Sequence, residues 1–334
     1  MKQKLINVLK IQTTSGNQWR MFAYIIRQVK QLGCTYYVKK GNIYVTKGET
    51  DLYPCVVAHM DTVHKIGKDL TVVEVGNNLT GFNAATMEQT GIGGDDKVGV
   101  FIALECLSKF DCIKAAFFRD EEIGCHGSYE ADTTFFGDCG FVLQCDRKGY
   151  GDFITKAGGV KLCGKRFRKD VNHIINSYGY KFESGMMTDV MALKELGIEC
   201  AMANISCGYY NPHTEKEYVN VPDVSDCLDM VCDIIMALKG QYYATPYTAP
   251  TFTYKPYKSV QPAKFDRYNF MEDKSWNDNK GWSDDTFYPD YPVATKTKQL
   301  CECCQEKAKL TYIYEYKMEL CDKCIKDYIK PYDA

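Results

Sequence analysis

The chain has 334 residues, 45% of them hydrophobic and 25% charged, with a formal net charge of −2. This is the balance of a soluble globular protein with room for one large domain and something smaller, and it argues against nucleic acid or an anionic membrane as partner. No stretch is apolar enough to span a bilayer, and Met1-Lys2-Gln3-Lys4 leads into an amphipathic run instead of a secretory core, so a cytoplasmic protein is expected.

In chain order, Ser15-Gly16-Asn17 offers a cap before Trp19–Leu32, where apolar residues recur at helical spacing. Tyr36–Val38 and Ile43–Val45 flank Lys40-Gly41-Asn42, a hairpin signal. Cys55–Ala58, Ala115–Phe118, Phe141–Leu143 and Cys200–Ile205 are brief apolar runs between polar residues, as expected of strands buried on both faces. Val98–Leu107, Val190–Leu196 and Val224–Leu238 read as the covering helices. Residues 1–240 therefore form an α/β domain.

Residues 241–298 are rich in Tyr, Pro, Lys and Asp without a lasting period, and read as a linker whose aromatics could dock on the domain or on a partner. Residues 299–334 carry Cys301, Cys303, Cys304, Cys321 and Cys324. The pairs Cys301/Cys304 and Cys321/Cys324, with strand-like Leu310–Tyr316 between them, have the two-knuckle spacing of a structural zinc site. So small a segment buries little core, and a metal gives it a reason to fold. Free or redox-active thiols are the alternative, and Cys303 could compete with Cys301 for one position. The other twelve of the 17 cysteines follow no framework spacing and read as small buried residues in a reducing compartment.

Five stretches carry the chemistry: Ala58–Val63, Gly94–Lys97, Asp120–Gly124, Cys145-Asp146 and Asn211–Thr214. His59, Glu121 and Asp146 each follow one of the apolar strands, and the carboxyl ends of such strands are where open α/β sheets bind ligands. Two adjacent divalent metals need a bridging carboxylate with imidazole and carboxylate ligands outside it. Asp95, at a helix start after a Gly-rich turn, is the natural bridge. His59 and Asp146 could complete one shell, and Glu122 with His213 the other. Glu121 is then free to act as general base, and Asp61 can hydrogen-bond the far nitrogen of His59. Singly, each has a plainer reading: Asp120–Glu122 as a solvated acidic run, His213 as structural, Asp95-Asp96 as helix caps. Jointly, at strand ends and in workable order, the metal reading prevails. Ser206-Cys207-Gly208 also follows a strand, but no distinct His–acid pair is left to activate a nucleophile. His64, His126 and His173 remain unassigned, the last two being candidate donors to substrate.

On these motifs, residues 1–240 resemble the co-catalytic zinc exopeptidases, the group of peptidase T, carboxypeptidase G and the glutamyl and leucyl aminopeptidases. Thr14–Asn17 and His213-Thr214-Glu215-Lys216-Glu217 extend the likeness. The resemblance implies a mixed, mostly parallel sheet sandwiched by helices. It implies two zinc ions (cobalt or manganese being alternatives), one on His59, Asp146 and Asp95, the other on Glu122, His213 and Asp95. It implies Glu121 as base, Asp61 as orienting acid and a cis Asp95–Asp96 bond. The chain departs from many relatives in leaving no room between Asp146 and His213 for a lid, or between His59 and Asp95 for an inserted β domain. Without a lid, carboxypeptidase-like gripping of a substrate carboxylate is not expected. Tyr209 or Tyr210 could donate to an oxyanion, or simply pack at a strand end. The expected activity is an aminopeptidase in which a metal-bound hydroxide attacks the first peptide bond of a short peptide. An N-acyl amino acid amidohydrolase is the rival on the same fold, and a partner-binding protein acting through its zinc-ribbon-like tail is the rival of another class. The tail's mixed Lys and Glu content disfavours nucleic acid as that partner.

Overall fold

A computed structural model describes residues 1–66 and 70–250, together with the backbone of short strands within 299–321. Two amphipathic helices, α1 (Lys2–Leu9) and α2 (Trp19–Gln31), precede a hairpin of β1 (Thr35–Lys39) and β2 (Asn42–Lys47). Lys39 pairs with Asn42 across a two-residue turn, and both Lys40 and Gly41 have positive φ, as that turn requires. Gln18 occupies the N-cap position of α2 without a side-chain capping bond, and the Ser15 hydroxyl is used elsewhere.

Next come β3 (Tyr53–His59), β4 (Leu70–Val75), β5 (Asn78–Asn83), β6 (Glu88–Thr90), α3 (Gly94–Lys109) and β7 (Ile113–Phe118). They are followed by α4 (His126–Tyr129), β8 (Cys139–Arg147), β9 (Asp152–Ala157), β10 (Val160–Lys161), α5 (Lys165–Ser177) and β11 (Lys181–Gly185). The domain closes with α6 (Asp189–Glu195), β12 (Ala201–Ser206), β13 (Tyr209–Tyr210), β14 (Tyr218–Asn220) and α7 (Val221–Leu238).

The main sheet has nine strands in the order β1-β2-β7-β3-β8-β12-β9-β10, with β11 also on β9. Its central strands β7, β3, β8 and β12 run parallel, and the hairpins at either side add antiparallel pairs. Every residue of β3, β7 and β12 is buried, as strands covered on both faces must be. Alternation sorts β3 into two cores: Val56 and Ala58 pack with Leu5, Phe101 and Val231, whereas Cys55 and Val57 pack with Phe135, Val190 and Leu193. The expected mixed sheet between helices is present.

A second sheet, β13-β14-β5-β4 with β6 on β5, was not anticipated. Three of its strands lie between His59 and Asp95, a stretch too short for an inserted domain but long enough for β5, flanked by β4 and β6, to pair with β14. The strands between Asp146 and His213 all belong to these two sheets, so none builds a lid. After α7 the chain stays attached to the sheet, through Tyr243 to Ala201 and Gly140 and through Thr245 to Glu199. The buried ammonium of Lys194 donates to the carbonyls of Ile198, Cys200 and Thr245.

Among the described residues, no helix is long and apolar enough to cross a membrane. In the tail, Gln299–Leu300 pairs with Lys307–Ala308 and Leu310–Ile313 with Met318–Cys321. Cys301, Cys303, Cys304 and Cys324, like the side chain of Cys321, lie outside the described residues, as does the linker after Pro250.

Candidate metal centre

The ends of the parallel strands bring the sequence-remote residues together. β3 ends on His59, the turn after β7 carries Glu121 and Glu122, β8 carries Asp146, α3 opens with Asp95, and the β13–β14 loop carries His213. The Asp95 carboxylate stands between both histidines, with Oδ1 3.3 Å from His59 Nε2 and Oδ2 3.3 Å from His213 Nε2. His59 Nε2 also faces Asp146 at 3.6 Å and Glu121 at 3.8 Å, and His213 Nε2 faces Glu122 at 3.1 Å. The Asp95–Asp96 peptide is cis. Asp120 and His213, beside and among these groups, hold left-handed φ values of 53° and 63°, which non-glycine residues adopt where surrounding contacts impose them.

A second layer fixes these groups. His59 Nδ1 lies 3.0 Å from the Asp61 carbonyl and 3.5 Å from the Asp61 carboxylate, so the carbonyl is its partner. With Nδ1 donating to that carbonyl, Nε2 is the nitrogen turned to the carboxylates, and it can lend a lone pair once its own proton is given up. The buried Asp61 carboxylate is engaged otherwise: it accepts from the amides of Glu121 and Glu122 and from the Ser15 hydroxyl. Asp96 acts as a tie and cap, accepting from the His59 amide and the Gly99 amide. It sits within 4.8 Å of ligand atoms on His59 and Asp146, but both its oxygens are already committed.

Asp146 is held by Gln144, whose amide group is saturated. Gln144 Nε2 donates to Asp146 Oδ2 at 3.1 Å and Asp189 Oδ2 at 3.0 Å, while its Oε1 accepts from the Thr188 hydroxyl and the Val190 amide. Asn204 grips the Asp146 backbone on both sides. Glu217, fully buried, does the same for the Asp95 loop: Oε2 accepts from His64 Nε2 at 2.7 Å and the Gly93 amide at 2.6 Å, and Oε1 from the Asp95 amide at 3.1 Å.

Burial disfavours an imidazolium at His59, but the carboxylates of Asp146, Asp61, Asp95 and Glu121 outweigh it and hold the proton well above the ordinary range. The hydrogen bond to Asp95 pulls His213 up to about 9. Burial, reinforced by the charges of Asp95 and Glu121, pushes Glu122 up to about 8. Burial also raises Glu121 and, with the nearby charges of Asp95 and Asp96, lifts Asp146 well above the carboxylate range. The cluster packs more carboxyl groups together than can ionise side by side, so some of them retain protons when no cation is bound.

A pair of divalent cations fits this donor set. Ligands about 2.0–2.2 Å from a tetrahedral zinc lie about 3.3–3.6 Å apart, and the facing atoms around Asp95 are 3.1–3.6 Å apart. His59 Nε2 and Glu122 Oε1 are buried without a hydrogen-bond partner, a cost that a cation would relieve. His59, Asp95 and Asp146 could hold one ion, and Asp95, Glu122 and His213 the other.

The groups open into a cleft of about 670 Å³ that is also lined by Tyr209. The Tyr209 hydroxyl donates to Asp146 Oδ1 at 3.3 Å. Tyr210 instead donates to Asp223 and stacks on Tyr218, and neither His126 nor His173 lines the cleft. Gln144 and Asn204 were not singled out from sequence, whereas Ser15 and Glu217 entered there only as a helix cap and as part of a motif, without these roles.

No family model and no curated protein matches the sequence. Solved structures share its fold. Aminopeptidase PepT of Bacillus cereus superposes with a TM-score of 0.61 at 12% identity, covering 71% of this chain and 97% of that one. A tripeptidase of Staphylococcus aureus gives 0.57 at 14% identity, covering 70% and 96%. A Thermotoga maritima protein described as an endoglucanase gives 0.50 at 12%, covering 70% and 99%. The chain thus shares its fold with an aminopeptidase and a tripeptidase as well as with a protein described as an endoglucanase, so the chemistry has to be argued from the site.

Proposed function

We propose that this chain is a di-zinc metallopeptidase that removes N-terminal residues from short peptides. One observation carries the reading: the two oxygens of Asp95 each face a different histidine, 3.3 Å away in both cases. That is the arrangement of a bridging carboxylate. The aminopeptidase and tripeptidase that share the fold support peptides as the substrate class.

Two cations so held would polarise the scissile carbonyl and ease deprotonation of water near neutral pH. The protein's own groups do the rest. Glu121 is placed by the bond from its amide to Asp61, and its Oε2 points into the cluster. It takes the proton of the attacking water and delivers it to the leaving nitrogen, a role that its raised affinity for a proton suits. Asp61, by holding the Glu121 and Glu122 amides and the His59 ring, keeps base and ligands in one frame. Tyr209 reaches the same cleft and can donate to the oxygen that gains charge.

The test is a panel of free and N-acylated di- and tripeptides, with and without chelator, on the wild type and Glu121→Gln. Chelator-sensitive release of N-terminal residues, lost in Glu121→Gln while zinc is retained, is the expected result. Cleavage confined to acylated substrates would make the chain a deacylase. No turnover by zinc-loaded protein would refute both.

A further inference from the structure

The cleft is electrically lopsided. Its floor carries Asp95, Glu121, Glu122 and Asp146, which face the two histidines and one another. Its wall adds two cations, Arg147 and Lys148, directly after Asp146 in sequence. Arg147 is engaged, donating from Nε and Nη2 to Asp152 Oδ2 at 3.2 and 3.1 Å. Lys148 is not: it is exposed, and its ammonium has no hydrogen-bond or ion-pair partner among the described residues. Its backbone is nonetheless fixed, because its carbonyl accepts from the Ser206 hydroxyl and the next amide, of Gly149, donates to the Tyr209 carbonyl. The free charge is thus mounted on a rigid part of the wall.

We infer that Lys148 is the binding group for a substrate carboxylate on the leaving-amine side of the scissile bond. The inference rests on the peptidase reading and narrows it to peptides that end one or two residues beyond that bond. One residue, Arg147, separates Lys148 from Asp146, so their Cα atoms are at most about 7 Å apart, and the lysine side chain reaches about 6 Å further. The carboxylate of a di- or tripeptide lies about 4–7 Å from the carbonyl being attacked, within that reach. A longer peptide carries its terminal charge past Lys148. The expectation that a chain without a lid does not grip a substrate carboxylate is thereby revised: the described strands between Asp146 and His213 build no lid, and the cation comes from the strand-end wall itself.

The experiment compares trialanine, its C-terminal amide, and Ala-Ala-Glu-amide on the zinc-supplied full chain, as wild type, Lys148→Met and Lys148→Arg. Wild type is expected to favour trialanine over the amide at least tenfold in kcat/KM, chiefly through KM. Lys148→Met should shrink that ratio to within about twofold, and Lys148→Arg should keep most of it. If Ala-Ala-Glu-amide recovers the preference in wild type but not in Lys148→Met, a side-chain carboxylate also serves the site. Equal use of acid and amide by wild type, or a preference that survives in Lys148→Met, overturns the inference while leaving the peptidase reading intact. A reduced-amide trialanine, with no carbonyl to cleave, and its C-terminal amide are titrated calorimetrically in parallel. Acid-selective, Lys148-dependent binding without turnover of any peptide would uphold the subsite and sink the peptidase reading.

Discussion

Glu217→Gln tests how far the centre depends on groups that touch no metal position. The carboxylate is fully buried and accepts three hydrogen bonds, from His64, the Gly93 amide and the Asp95 amide. Glutamine keeps one accepting oxygen and turns an NH2 towards an N–H that needs an acceptor. Bonds to a charged group contribute about 1.5–3 kcal/mol each, and a buried polar group left unpaired costs about 1–3 kcal/mol. Weakening the bonds that remain and orphaning one donor should together lower unfolding stability by about 3 kcal/mol. The same loop carries Asp95, and the loop holding Glu217 carries His213, so zinc affinity should fall about 10–100-fold. Urea denaturation reads the first effect and competition with a chromophoric chelator the second. Leu5→Ala, in the core beneath α3, is the control: it should cost about 2–5 kcal/mol by leaving a cavity, with zinc affinity kept. A Glu217→Gln protein within about 1 kcal/mol of wild type, or one no weaker for zinc than Leu5→Ala, would show the reasoning to be mistaken.

Gln144→Glu puts a third carboxylate between Asp146 and Asp189, and chelator competition should show at least a tenfold loss of zinc affinity (about 1.4 kcal/mol). In the metal-free protein Glu122 titrates near 8 and His213 near 9, so at pH 7 both hold protons that zinc must displace. Zinc affinity should therefore rise with pH up to about 9, and calorimetry in buffers of differing ionisation enthalpy should count the protons released. Lys194→Met leaves three buried carbonyls without their shared donor and should lower stability by about 3–5 kcal/mol, read by urea denaturation. If the tail cysteines hold a structural zinc, metal analysis should give three zinc per chain, falling to two in Cys321→Ser/Cys324→Ser.

Strands β3, β7, β8 and β12 were legible because residues buried on both faces of a sheet leave uninterrupted apolar runs, and His59, Glu121 and Asp146 announced themselves where those runs stop. The groups that orient them were not legible. Gln144 sits inside a strand and meets Thr188 and Asp189 only through the fold, 44 and 45 residues away. Ser15 looked like a helix cap because serine before a helix usually is one, yet Asp61 competes for its hydroxyl. The second sheet escaped notice because β6, Glu88-Gln89-Thr90, is short and polar, and its neighbour β5 is stabilised by β14, far along the chain. Tyr209 and Tyr210 illustrate a further limit: adjacent residues on a strand face opposite ways, and only the pairing partner decides which one reaches the cleft.

The place of β12 in the sheet has a consequence for biosynthesis. This strand is made late but is inserted between β8 and β9, which are made much earlier. Until Ser206 has left the ribosome, β8 has an open edge where Asp146 stands, and Asn204 cannot yet grip that residue. His213 follows seven residues later. A nascent chain at that point holds His59, Asp95 and Asp146 without the strand that frames Asp146, and still lacks His213. An ion at this centre would find its full set of donors, each held in its frame, only once the sheet is complete.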